Sequence, residues 1–153
     1  MKFLETRIVP PLVMVIFAAL MWGVAQVTSP FIVPGGLNKI AATIFLAAGL
    51  IIMLVSAFHF FKAKTTLNPM DPKKSSTLVT NGLYAFSRNP IYLADILFLL
   101  SWGFFLSNIF SLILVLGFAP YLTRFQIKPE ERALEKTFGD EYLAYKSKVR
   151  RWI

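Results

Sequence analysis

The sequence predicts an all-α membrane protein with about four transmembrane helices, the last two a tight hairpin, followed by short C-terminal helices on the cytoplasmic side. Three observations predict it. Hydrophobic residues make up 56% of the 153 and the mean hydropathy is +0.62, too apolar for an ordinary soluble domain. The apolar residues gather in four blocks, 8–27, 40–61, 91–106 and 109–122. Lys and Arg divide between the intervening segments in a way that four spans preserve and other span counts break. The whole chain, 1–153, reads as one domain.

The first block follows a short basic start with Lys2 and Arg7, as a secretory signal would. No small-residue cleavage site follows, and Trp22 and Gln26 end the run as an interface anchor does, so it is expected to be a retained helix. The first two blocks reach the ~20 residues that cross ~30 Å of hydrocarbon at ~1.5 Å per residue. Between them, 28–39 carries Pro30, Pro34, Gly35 and Gly36 and reads as a turn. The third and fourth blocks are shorter and only Ser107 and Asn108 separate them, which predicts the hairpin, extended by flanking polar turns or set in a locally thinned bilayer.

Segment 62–90 is rich in Thr, Ser, Asn and Pro, too polar for the bilayer and too short for a domain of its own, a loop of the length that carries function. Beyond Leu122 the chain turns polar. Pro129 suits the first position of a helix, with Glu130 and Glu131 in the first turn, where carboxylates complement the helix dipole. Leu134 and Phe138 make an apolar stripe, Gly139 a stop, and Asp140 the cap of a second short helix whose Tyr142, Tyr145 and Val149 share a face. Both helices are expected to fold back onto the cytoplasmic ends of the spans.

With the N-terminus cytoplasmic, fifteen of the sixteen basic residues fall inside, in the N-terminal segment, 62–90 and 123–153, and Lys39 alone falls outside. The net charge of +8 therefore lies beside apolar spans, where anionic lipid headgroups are the expected partner and nucleic acid is not. The absence of cysteine excludes disulfides, thiolate metal sites and cysteine nucleophiles, and a single histidine argues against a zinc or haem centre, so no metal is expected. No G-x-G-x-x-G or Walker loop is present.

The chemistry-bearing residues each have two readings. In Arg88-Asn89-Pro90, Asn89 can cap a helix that Pro90 starts while Arg88 reaches lipid phosphate, and the same geometry offers a helix N-terminus beside a cation to a carboxylate or phosphate. Glu130 and Glu131 are either first-turn acids or a receptor for an amine or sulfonium. Asp95 lies early in the third span, where an acid costs ~2.5–3.5 kcal/mol at mid-membrane on insertion scales, and is expected to face the bundle interior or the headgroups, as a structural group or a substrate contact. His59, the one histidine, ends the second span as an interfacial anchor or a base.

Taken together, L-V-T-N-G-L-Y at 78–84, S-R-N-P-I-Y at 87–92, the hairpin after it and E-E-R-A-L-E-K-T-F-G-D-E-Y-L-A-Y-K at 130–146 resemble the isoprenylcysteine carboxyl methyltransferase and phospholipid N-methyltransferase family, with T-T-L-N-P at 65–69 similar to its bacterial members. The resemblance covers about half the chain. It implies methyl transfer from S-adenosylmethionine to a lipophilic small molecule or lipid, in a bacterial inner membrane. It also implies a cofactor site of Tyr84, Arg88, Asn89, Pro90, Tyr92, Glu130, Glu131 and Tyr142. The histidine usual in the family's Arg-His-Pro step is Asn89 here, which removes a titrating group and keeps a hydrogen-bonding one. A carboxylate acceptor needs no base, whereas an amine or thiol must lose a proton, and His59 and Asp95 join Arg88 as the catalytic candidates. Two other functions fit parts of the pattern: an NADPH-dependent membrane reductase of sterol-reductase-like architecture, and a non-catalytic scaffold whose basic rim binds anionic lipid.

Overall fold

The computed structural model describes residues 8–31, 34–63 and 77–153. Lys2, Arg7, Lys64, Lys73, Lys74 and the 65–69 stretch lie outside the described residues. Among the described residues six α-helices follow in order: α1 Pro10–Val27, α2 Leu37–Lys62, α3 Pro90–Phe105, α4 Ile109–Leu122, α5 Lys128–Phe138 and α6 Asp140–Lys148. No strand occurs among the described residues. α1, α2 and the continuous helical stretch Ile109–Phe138 are long and apolar enough to cross a membrane, and α3 is a shorter apolar helix of 16 residues.

α2 lies antiparallel along α3, pairing Gly49 with Ala94 and Phe98 near the middle and Ala42 with Ser101 farther along. Gly49 allows this approach, since a Cβ there would come within 2.7 Å of the Phe98 ring. α1 packs on α4, and Val13, Met21, Leu99, Val115, Phe118, Leu122 and Ile127 form the core. Hydroxyl and indole donors tie the helices to one another: Ser111 Oγ to the Met21 carbonyl at 2.7 Å, Ser101 Oγ to that of Ala42 at 2.8 Å, and Trp102 Nε1 to that of Ala18 at 3.0 Å. In hydrocarbon such bonds add to close packing, because lipid tails are as apolar as the helices they surround. The outer faces are correspondingly apolar and open, with Leu54, Ile51 and Leu116 all exposed.

The expected hairpin is present. α3 ends at Phe105 and α4 begins at Ile109, with Ser107 at φ 51 in the turn. Asn108 caps α4 by accepting from the Ser111 N–H at 2.9 Å and holds α1 through Thr28 Oγ1 at 2.7 Å.

The helix does not stop where the sequence turns polar. A π-helical turn, Thr123–Ile127, joins α4 to α5, and the Lys128 N–H donates to the Thr123 carbonyl five residues back. Pro129, which has no N–H to give, stands in the first turn of α5, so the widened turn absorbs the irregularity that would otherwise break the helix. A second correction concerns the start of α6, where Gly139, at φ 51, occupies the cap position and Asp140 is the first helical residue.

Candidate functional site

At one end of the bundle, the start of α1, the end of α2, the start of α3 and the inner faces of α5 and α6 surround a cavity of about 360 Å³. Its size is that of a small-molecule site. Pro90 opens α3 where a helix has no N–H to lose, and Asn89 stands at the cap position. The Asn89 side chain makes no cap hydrogen bond, contrary to expectation; its Nδ2 donates instead to the Arg151 carbonyl at 2.9 Å. The free N–H groups of the first turn of α3 are thus left without a side-chain cap.

Arg88 is not extended toward lipid phosphate. Its side chain is 8% exposed, Nη1 donates to the Lys146 carbonyl at 3.0 Å, and Nη2 donates to Glu131 Oε1 at 2.8 Å. Arg151 binds the same carboxylate with two bonds, Nε to Oε1 at 2.9 Å and Nη2 to Oε2 at 2.8 Å. The backbone completes the junction: the Arg88 N–H donates to the Arg150 carbonyl at 3.0 Å, beside a parallel bridge between Ser87 and Arg150. One buried donor, Arg88 Nε, has no acceptor among the described residues.

The two adjacent glutamates have opposite electrostatic fates. Burial alone would raise the Glu131 carboxyl, but the hydrogen bonds and charge of Arg151, with Arg88 and Lys146, outweigh it and hold Glu131 below its ordinary value. Among the described residues no such cation stands beside Glu130. Burial pushes it up to about 7, opposed by a hydrogen bond from the Tyr92 hydroxyl and assisted by the neighbouring Glu131 charge. Tyr84 and Tyr142 are raised by burial and stay neutral.

All of the expected cofactor residues, Tyr84, Arg88, Asn89, Pro90, Tyr92, Glu130, Glu131 and Tyr142, lie at this end of the bundle, and all but the buried Pro90 line the cavity. Asp95 lines it as well, 5% exposed, so the acid of the third apolar block faces the interior. His59 does not line it. Its Nδ1 hydrogen-bonds to the Val55 carbonyl at 2.7 Å, and Gly82, at φ 61, lies so close that a Cβ would come within 2.0 Å of Nε2. The ring supports the 3-10 turn Gly82–Ala85, which presents Tyr84.

Sequence reasoning placed Arg151 only among the basic residues and missed its role beside Glu131. It did not find Met53, Ala57 and Phe60, the α2 wall of the cavity, although their spacing of three and four residues marks one helix face. Leu134 and Phe138 line the cavity from α5, and Tyr145 ties α6 to the turn by donating to the Tyr84 carbonyl at 2.7 Å.

Comparison with known proteins bears on this arrangement. A stretch of 63 residues is 46% identical to an uncharacterized protein of Haemophilus influenzae, covering 41% of this chain and 100% of that one. A stretch of 79 residues is 37% identical to the protein-S-isoprenylcysteine O-methyltransferase of Schizosaccharomyces pombe, covering 50% of this chain and 32% of the yeast protein. No solved structure matches. The profile of the phospholipid methyltransferase family matches residues 37–141, from the first residue of α2 into α6 and so across most of the cavity wall, and the chain belongs to that family.

Proposed function

We propose that the protein is an integral-membrane methyltransferase that takes S-adenosylmethionine in the cavity at the start of α3 and methylates a lipophilic acceptor. The observation that carries the reading is Arg88. A guanidinium buried at a helix N-terminus, with its Nε donor lacking an acceptor, is a receptor for a carboxylate. The other residues present fit the rest of the cofactor: Glu130, without a counter-cation among the described residues, suits an amine, and Tyr142, Phe138 and Phe60 offer apolar and aromatic surface to the adenosyl part. When bound, S-adenosylmethionine supplies an electrophilic methyl group carried on sulfur.

The chain's own contribution is positional. Arg88 and the α3 N-terminus fix one end of the cofactor, and Glu131 acts through Arg88, since both its oxygens are occupied by guanidiniums. Arg151 and the backbone of 150–151 close the tail over this end, which keeps water out and holds the reacting groups in one geometry. The acceptor enters from the bilayer side, between α1, α2 and α3. Topology supports the cofactor's entry from the cytoplasm, because Lys62, Arg88, Arg124 and the basic residues of α5, α6 and the tail share the cavity end while Lys39 stands at the other.

Labelled-methyl transfer to a total lipid extract of the source cells tests the activity. A labelled lipid product that disappears with Arg88→Ala is expected, and no incorporation with any extract would overturn the reading. A thermal response to NADPH without one to S-adenosylhomocysteine would favour the reductase alternative.

A further inference from the structure

The cavity has a charged end and an apolar end, and Asp95 sits in the apolar one. From Arg88, just before α3, the lining residues descend through Tyr92 to Asp95 on that helix, and along the antiparallel α2 they descend from Phe60 to Met53. Asp95 therefore lies about one helical turn, ~4.5 Å of rise, below the level where Tyr92 bonds Glu130. At 5% exposure it is buried, and no hydrogen bond or ion pair is formed to its carboxylate among the described residues.

The described lining residues offer it no counter-charge. Arg88, the one arginine among them, is committed to Glu131 at 2.8 Å, and Glu131 is held again by Arg151. Glu130 takes the Tyr92 hydroxyl. A buried carboxyl facing open space in a low-dielectric cavity is held in its ionised form by a group that brings N–H donors or positive charge, and in that form it opposes another carboxylate.

Resting on the proposed function, we infer that Asp95 is the specificity-determining residue of the acceptor subsite: it receives the head group of a lipophilic amine and turns away a lipophilic carboxylate. The depth of Asp95 places that head group below the cofactor end, with its chain leaving toward the bilayer. The N–H groups of the amine satisfy the carboxylate, and the apolar wall of Met53, Ala57 and Ile91 surrounds the first carbons of the chain.

The test reads binding without any methyl donor. The protein in a nonionic maltoside detergent is titrated with dodecylamine, dodecanol and dodecanoate, and separately with solubilised phosphatidylethanolamine, which distinguishes a bilayer aminolipid from a free amine; thermal unfolding is followed throughout. With S-adenosylhomocysteine present to occupy the carboxylate-binding Arg88 end, wild type is expected to be stabilised by at least one of the two amines and not by dodecanoate, with an apparent affinity for the amine at least ten times that for the acid. Asp95→Asn, nearly identical in shape, is expected to lose the preference. Equal responses to amine and acid in the wild type, or a preference retained in Asp95→Asn, overturn the assignment. S-adenosylhomocysteine is titrated into the same samples. A normal response to it with no amine preference sinks the Asp95 assignment alone, and an amine preference with no response to it sinks the proposed cofactor alone.

Discussion

Arg88 and Glu131 show how much one ion pair can carry when it is buried. Their side chains are 8% and 9% exposed, so neither charge is compensated by water if its partner is removed. Breaking such a pair costs ~3–5 kcal/mol where the remaining charge stays buried. Glu131→Gln is expected to lower the unfolding temperature in detergent sharply, because it leaves Arg88 and Arg151 facing each other. Arg88→Lys is expected to lose S-adenosylhomocysteine affinity by about tenfold or more, since an ammonium cannot serve Glu131 and the Lys146 carbonyl in the planar fork that Arg88 uses. Calorimetric titration of the variant reads that loss, and wild-type affinity would show that the fork has no part in binding.

Glu130 gives a pH dependence at the same scale. Its carboxyl is pushed up to about 7, chiefly by burial, so a large fraction is protonated and uncharged just below neutrality. The ionised form is the one that attracts an ammonium, so affinity for S-adenosylhomocysteine is expected to rise between about pH 6 and about pH 7.5, below the ordinary range of an α-amino group. The sign for stability is opposite. A carboxyl raised in the folded state contributes stability below its unfolded value of 4.5 that is lost as pH rises through about 7. Glu130→Gln should flatten both dependences, and a rise in affinity that survives the substitution would assign it to another group.

At the scale of elements, the site depends on how α2 and α3 approach and on where the last helix ends. Gly49→Ala would put a methyl group within 2.7 Å of the Phe98 ring and 3.3 Å of the Ala94 carbonyl, and overpacking of this kind costs ~1–3 kcal/mol. Thermal unfolding in detergent measures it, and an unchanged midpoint would mean that α2 and α3 separate freely. Most of these elements were legible in the sequence: apolar length marked α1 and α2, Pro90 marked the start of α3, and Ser107-Asn108 marked the hairpin. The continuity of Ile109–Phe138 was not, because the change from apolar to polar at Thr123 is a change of composition and not a helix end. Arg151 was equally hidden. It lies twenty residues from Glu131 in a basic tail where its charge already had a topological explanation, and only the folding back of α6 brings the two together. Asn89 was misread for a related reason: its local role as a cap competes with a distant carbonyl that sequence does not place beside it.

At the scale of the molecule, the polar ends of the bundle differ in kind. One carries the cavity, α5, α6 and nearly all the described basic residues, and the other carries Lys39 and the turns that cap the spans. The chain has no cysteine, so single cysteines report its orientation directly. In intact cells a membrane-impermeant thiol reagent is expected to label Lys39→Cys and to label Lys148→Cys only after permeabilisation; the reverse pattern would invert the topology and put the cavity end outside.

The most direct test of the account is calorimetric titration of the purified protein with S-adenosylhomocysteine, for wild type and for Arg88→Ala. Saturable binding to the wild type is expected, with an affinity reduced at least tenfold in the variant. No binding to the wild type at millimolar ligand, or equal affinity in the two proteins, would contradict it.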